Sequence, residues 1–194
     1  AQFTGNALFA WLPTFFLRTY HLPIRSTGLV LGLMLAGCSG SGFILSGTLS
    51  DWLSKRGDLA GRLRPMVYAE LSMIPLLIAW PLAGNAMLRF VLLGLLMVVL
   101  AGALGTLPTT IQEITPNRMR GQAVTYTLMI AMLLGWGFGR TVTALFTDYV
   151  FHNDAAIGYS LVLSTVPGTL IALFCAWRGM KSYARARALF LATL

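Results

Sequence analysis

The chain has 194 residues, of which 57% are hydrophobic and only 10% are charged, and its formal net charge is +8. Soluble domains carry roughly 25% charged residues, so this composition excludes an ordinary soluble domain and indicates a membrane environment. The basic residues are dispersed among apolar runs and form no long basic face, which argues against nucleic acid as a partner. The two cysteines, Cys38 and Cys175, lie in apolar runs and predict neither a disulfide framework nor a metal site.

Six apolar segments approach the length of about 20 residues that a membrane-crossing helix needs. The backbone in hydrocarbon must satisfy its own hydrogen bonds, so these segments predict helices and an all-α integral membrane fold. The predicted spans are about 3–17, 27–49, 65–82, 88–111, 123–146 and 157–177. Residues 1–178 are expected to form one bundle and residues 179–194 a basic cytoplasmic tail. The short first span and the absence of a starting Met lead us to expect that the chain is part of a longer protein.

Lysine and arginine are unevenly distributed between the two sides of the predicted bundle. One side holds ten of them, in the connections after the second and fourth spans and in the tail, and the other side holds Arg18, Arg25 and Arg89. Positive residues favour the cytoplasmic side, so both chain ends are expected on that side of the membrane. The expected membrane is a bacterial inner membrane. Arg140 falls inside the fifth span.

A weak internal repeat relates the second span to the fifth. Leu33-Met34 recurs as Leu128-Met129, and Gly42-Phe43 recurs as Gly137-Phe138, both at the same offset. The fifth span comes three spans after the second, so the two copies cross the membrane in opposite directions. This predicts two inverted three-helix repeats, an arrangement found in secondary transporters.

Two motifs resemble those of the major facilitator superfamily (MFS). The stretch GTLSDWLSKRG from Gly47 to Gly57 resembles the loop motif of that family, with Gly, a small residue, Asp and then Lys/Arg. The stretch TPNRMRGQAVTYTLMIAMLLGWGFG resembles the connection between the fourth and fifth helices of a facilitator half. The likeness covers nearly the whole chain and is strongest to the spinster-like branch. That branch tends to have Gly-Pro where this chain has Gly139-Arg140.

The resemblance implies one six-helix MFS bundle that works against a second bundle around a central cavity. It implies a gating loop formed by Gly47, Asp51, Lys55 and Arg56, in which Asp51 acts as a latch at a neighbouring helix N-terminus. It also implies a cytoplasmic connection after the fourth span, in which Glu113 pairs with Arg118 or Arg120 beside Gly121.

Six residues are candidates for the cavity or the substrate site. They are Asn6, Trp11 and Thr14 on the first helix, Thr106 and Thr109 on the fourth, and Arg140 on the fifth. The alternative for Arg140 is snorkelling to the outer headgroups. Two sets of glycines, at 37, 40, 42 and 47 and at 135, 137 and 139, predict thin faces on the second and fifth helices for close packing against the other bundle.

The expected function is secondary transport of a small organic solute, with symport as the expected mode and without catalytic residues, metal or cofactor. The expected partners are the N-terminal six-helix bundle of the same protein, the lipid bilayer and the solute. One alternative is a rhomboid-like intramembrane protease with Ser39 as nucleophile. It is disfavoured because the two histidines, His21 and His152, fall in outer loops and cannot act as its base. A second alternative is a membrane scaffold that does not transport.

Overall fold

The computed structural model describes residues 2–20, 23–56, 60–145 and 157–192, except for a few side chains within these ranges. All of these segments are helical or form short connecting turns, and the described part of the chain contains no strand. The predicted all-α fold is therefore confirmed. The helices are α1 Gln2–Tyr20, α2 Ile24–Met34, α3 Gly40–Lys55, α4 Arg64–Leu82, α5 Ala86–Ile114, α6 Arg120–Met132, α7 Gly139–Leu145 and α8 Ile157–Ala192.

Two of the helical rods contain a π-helical segment. Leu35–Ser39 joins α2 to α3, and Leu133–Phe138 joins α6 to α7, so each pair forms one continuous rod. Short π segments insert a wider turn into an α-helix. They fall in corresponding parts of the two rods that the sequence repeat relates, although the inverted two-repeat organisation stays a prediction.

Five described segments are long and apolar enough to cross a membrane. They are Ile24–Lys55, Arg64–Leu82, Ala86–Ile114, Asn117–Leu145 and Ser160–Ala188. The helix α1, which corresponds to the predicted first span, has 19 residues and is not one of these five. Its side chains nevertheless form a large part of the protein core.

The core lies between α1, α4 and α5. Leu8 and Leu12 of α1 are at most 2% exposed, and Trp80 of α4 is fully buried. The ring of Phe15 meets that of Trp80 edge to face at a centroid distance of 4.8 Å, and the ring of Phe16 stacks on that of Phe90 at 5.2 Å. Such aromatic pairs add packing energy beyond the area that they bury.

Buried hydroxyl pairs fix α8 against its neighbours. Thr4 of α1 and Thr169 of α8 lie 3.0 Å apart, and Thr143 of α7 and Ser164 of α8 also lie 3.0 Å apart. Hydrogen bonds between helices are a common source of association in hydrocarbon, where apolar side chains gain little from one another. These contacts set the position from which α8 continues toward the end of the bundle.

Two helices, α3 and α8, continue more than one turn beyond their predicted ends. The helix α3 reaches Lys55 instead of residue 49, so that Asp51 and Lys55 lie on its last turns and not in a loop. The helix α8 continues unbroken through the predicted tail to Ala192, because its last turns are rich in Ala, Arg and Leu, which favour helix. The predicted end of the fifth span at Phe146 lies outside the described residues.

The prediction of one thin glycine face on the rod of α2 and α3, and of another on the rod of α6 and α7, is wrong. A Cβ at Gly42 would lie 2.2 Å from the carbonyl oxygen of Val98 on α5, whereas a Cβ at Gly37, Gly40 or Gly47 would meet nothing within 4 Å. The reason is helical geometry, since two residues turn the helix by about 200° and place Gly42 opposite Gly40. On the other rod, Gly135 and Gly139 pack against α1 while Gly137 is open.

This contrast predicts opposite effects for two neighbouring substitutions. Gly42→Ala should lower the melting temperature of the purified protein in detergent, because its methyl group would collide with the backbone of α5. In the 194-residue chain by itself, Gly40→Ala adds the same methyl group to open space and should leave stability unchanged or raise it by up to about 1 kcal/mol through helix propensity. Equal melting temperatures for the two variants would contradict the packing of α3 on α5.

Candidate functional site

A carboxylate at the end of α5 joins segments that are distant in the sequence. Glu113 Oε2 lies 2.9 Å from Arg62 Nε and accepts a hydrogen bond of 2.6 Å from the hydroxyl group of Tyr183. Its other oxygen, Oε1, lies 2.9 Å from Arg187 Nη2. Arg62 belongs to the turn before α4, whereas Tyr183 and Arg187 lie one helical turn apart on α8. We call these four residues the Glu113 cluster.

Local structure holds Arg62 in position. The turn that carries it is closed by bonds of 2.9 and 3.2 Å from the amides of Leu63 and Arg64 to the carbonyl oxygen of Ala60. Leu63 is only 9% exposed and anchors the turn against the protein. Pro65 lies in the first turn of α4, a position where its missing amide proton costs no helical hydrogen bond.

Partial burial makes the Glu113 cluster stronger than an ordinary surface ion pair. The side chains of Glu113 and Arg187 are 22% and 14% exposed, and Tyr183 is 6% exposed. Exposed ion pairs contribute about 0–1 kcal/mol, whereas hydrogen bonds to charged groups contribute about 1.5–3 kcal/mol. Without the carboxylate, Arg187 would lose this ion pair, and Arg62 would keep only the more distant carboxylate of Asp51.

Asp51 lies at the exposed edge of the cluster. Its Oδ1 is 3.9 Å from Arg62 Nη1, and its side chain is 63% exposed. Arg62 therefore faces two carboxylates, a close one on α5 and a more distant one on α3. This arrangement links the end of α3, the start of α4, the end of α5 and the last turns of α8 at one end of the bundle.

The four predicted gating residues do not form a loop. Gly47, Asp51 and Lys55 lie in α3, and Arg56 follows its last residue. The ion pair of Asp51 is made with Arg62, and the guanidinium of Arg56 lies 3.6 Å from the ring centroid of Trp52. Lys55 is exposed, and Gly47 lies inside α3 with open space around it. Arg62 lies two residues before α4, and the contact of Asp51 with a helix N-terminus stays a prediction.

The predicted connection after the fourth span has a different partner set. Among the described residues, Glu113 forms ion pairs with Arg62 and Arg187 and a hydrogen bond with Tyr183, and Arg118 and Arg120 are not among these partners. The Nε of Arg120 donates instead to the carbonyl oxygen of Thr115 at 3.1 Å. Arg118 and Gly121 are exposed. A short 3₁₀ segment, Asn117–Met119, connects α5 to α6 and contains Arg118.

The first helix presents its three cavity candidates in partly buried positions. The side-chain amide of Asn6 donates to the carbonyl oxygen of Gln2 at 3.0 Å and lies against Gly135. Trp11 is half-buried, and its indole nitrogen is buried without a hydrogen-bond partner in the described part of the chain. Thr14 is also half-buried. Their role in a cavity stays a prediction.

The candidates on α5 occupy unlike environments. Thr106 is 2% exposed and donates to the carbonyl oxygen of Ala103, whereas Thr109 is exposed and donates to that of Thr106. Their hydroxyl groups thus bond to their own helix. The side chain of Arg140 lies outside the described residues, so its role also stays a prediction. The residues that the structure describes contain no group of three or more His, Cys, Asp or Glu side chains that could hold a metal ion.

Arg62, Tyr183 and Arg187 were not identified from the sequence as functional residues. In the sequence, Arg62 and Arg187 indicate only membrane topology, and no motif points to Tyr183. The available signal was the spacing of four residues between Tyr183 and Arg187, which places both on one face of a helix. It could be used only once residues 179–192 were known to be helical.

The geometry predicts that Glu113→Gln lowers stability by about 1–3 kcal/mol, since it removes the negative charge that pairs with Arg62 and Arg187 and accepts from Tyr183. Asp51→Asn is the matched control, because it also neutralises one carboxylate facing Arg62, but at an exposed site where the loss should stay below about 1 kcal/mol. Thermal unfolding of both variants in detergent measures the difference. A Glu113→Gln variant as stable as the control would contradict the central place of this carboxylate.

Comparison with known proteins adds a fold match. No protein-family model matches the sequence, and no curated protein matches it significantly. The chain is similar to the crystal structure of a bacterial homologue of the human lysosomal transporter Spinster, in an inward-facing and occupied conformation. The TM-score is 0.65 at 19% sequence identity, and the match covers 100% of this chain and 47% of that transporter.

The chain therefore spans about half the length of the transporter that it matches. Identity this low shows the fold alone, and at that level the resemblance predicted from the sequence is confirmed. The chain has helices with the length and composition of membrane spans, and its fold is similar to about half of that bacterial Spinster homologue.

Proposed function

We propose that this chain is one of two six-helix bundles of a secondary transporter that moves a small organic solute by alternating access. The observation that carries the proposal is the fold match over the whole chain to about half of a known transporter. In such transporters the solute site lies between two bundles and is opened to each side in turn. One bundle supplies only one wall of that site.

Two surfaces of the bundle support a second bundle as partner. In the most apolar stretch of Ile24–Lys55 only 11% of the residues are buried, and in that of Asn117–Leu145 only 19% are buried. The corresponding share in α5 is 44%. These two rods also carry the glycines at 37, 40, 47 and 137, around which a Cβ would meet nothing. Small residues allow another helix to approach closely. We infer that the N-terminal six helices of the same protein cover these rods.

The Glu113 cluster supports movement of this bundle as one body. It ties α5, α8 and the start of α4 together at one end through the partly buried contacts of Glu113. A bundle braced in this way can rock against its partner without changing its own shape. We propose that this end faces the cytoplasm of a bacterial inner membrane, as the distribution of lysine and arginine predicts.

Asp51 is suited to a reversible contact. It is exposed and only distantly paired with Arg62, so exchanging this partner for one on the other bundle requires little energy. We propose that Asp51 forms a latch in one conformation and releases it in the other. The solute is proposed to be amphipathic or anionic, with coupling by symport, and its contacts to come from the cavity candidates on α1 and α5 and from Arg140.

The latch predicts a functional effect without a folding defect. In the full-length protein, Asp51→Asn should insert normally and slow transport, while Asp51→Glu keeps the charge and should stay closer to the original rate. Conformation is measured by the rate at which an impermeant maleimide labels Gly121→Cys in a background with Cys38 and Cys175 replaced by Ala. The same labelling rate and the same transport for all three proteins would return Asp51 to the role of a solvated surface residue.

The proposal also predicts that these 194 residues alone move no solute, because one wall cannot close a site from both sides. Reconstitution into liposomes, with and without a fused or co-expressed N-terminal bundle, should give saturable uptake only when both bundles are present. Crosslinking identifies homodimers, since two copies could supply both walls. Saturable uptake by a monomer of this chain would contradict the proposal.

A further inference from the structure

The last turns of α8 carry a row of cations that the proposed transport mechanism does not use. Arg178, Lys181 and Arg185 are exposed, and Phe174, one turn earlier, is 55% exposed. At about 100° per residue these four positions fall within about 60° of the helix circumference. We call Arg178, Lys181 and Arg185 the basic stripe.

The opposite face of the same turns is fixed to the bundle. Ala176 and Tyr183 are 8% and 6% exposed, and Tyr183 and Arg187 both bind Glu113. These residues lie about half a turn away from the basic stripe. The helix is therefore held against rotation, and the stripe points away from the protein in a fixed direction.

The height of the stripe along α8 corresponds to the membrane surface. The helix has 36 residues. At 1.5 Å per residue, a hydrocarbon layer of about 30 Å takes about 20 residues, so a span that begins near Ile157 ends near Trp177. Trp177 is 61% exposed, and tryptophan is enriched at this boundary in membrane proteins.

The cations follow directly after that boundary. Arg178 lies beyond Trp177, with its guanidinium carbon 5.7 Å from the ring centroid of Phe174. The stripe extends for about 10 Å along the helix from Arg178 to Arg185. This length covers the headgroup layer, which is about 5–7 Å thick on each side, and part of the Debye length of about 8 Å above it.

We propose that the basic stripe binds the headgroups of anionic phospholipids in the adjoining leaflet. A phosphodiester headgroup with net negative charge complements the row of guanidinium and ammonium groups, and the exposed rings of Trp177 and Phe174 adjoin the acyl boundary. Each lysine or arginine close to an anionic surface contributes about fivefold in affinity. The inference needs α8 to cross the membrane but does not depend on transport, so it can fail or hold independently of the proposed function.

The test compares two triple variants of the full-length protein that lose the same charge. The first is Arg178→Gln/Lys181→Gln/Arg185→Gln. The matched control is Lys55→Gln/Arg64→Gln/Arg118→Gln, which removes three exposed cations that are not on α8. Native mass spectrometry counts bound lipid, and thermal unfolding in detergent gives the stabilisation by phosphatidylglycerol, phosphatidylcholine or soluble glycerol phosphate.

We expect phosphatidylglycerol, and not phosphatidylcholine or glycerol phosphate, to raise the melting temperature of the original protein and of the control. The stripe variant should bind phosphatidylglycerol about a hundredfold more weakly, and Arg178→Lys/Arg185→Lys should bind normally. Equal losses in the two triple variants, or full stabilisation by glycerol phosphate, would overturn the proposal. If the triple stripe variant does not fold, Lys181→Gln alone should weaken binding about fivefold, and unchanged binding would overturn the proposal equally.

Discussion

Hydrocarbon offers a protein backbone no hydrogen bonds, and this constraint governs the arrangement of the whole chain. It requires helices long enough to cross the membrane, and it confines the charged groups largely to their ends. Only six of the 194 residues are acidic, so the ends of the bundle are dominated by cations. A carboxylate placed among them acquires several partners at once. Glu113 occupies such a position and connects Arg62, Tyr183 and Arg187.

The Glu113 cluster relates the two proposed properties of this end of the bundle. Through Arg62 it reaches Asp51, which is exposed and weakly paired, as a contact that must break and form again should be. Through Tyr183 and Arg187 it fixes the last turns of α8, whose other face carries the basic stripe. The partly buried Glu113 thus holds two features in place. One is the weak pair of Asp51 with Arg62, and the other is the basic stripe that faces the lipid surface. The two can be separated experimentally, since they use different residues.

The fold class and most spans could be predicted from the sequence, because apolar length is a strong signal and membrane helices have few alternatives. The ends of helices were less predictable, since residues 50–55 and 179–192 mix polar and charged residues with helix formers such as Leu, Lys, Ala and Arg. The partners of Glu113 could not be predicted, because contacts between α5 and α8 depend on packing that no local pattern encodes. The prediction of one glycine face on α3 was wrong for a geometric reason, because Gly40 and Gly42 lie on opposite sides of the helix.

If this bundle is half of an alternating-access transporter, as we propose, its rods Ile24–Lys55 and Asn117–Leu145 must contact a second bundle. An experimental structure of the full-length protein in a lipid nanodisc tests it most directly. The account predicts that helices of a second bundle cover the open glycines at 40, 47 and 137, with Glu113 still bound to Arg62 and Arg187. A structure in which these glycines face lipid, with no second bundle against α3 and the segment Leu133–Phe138, would contradict it.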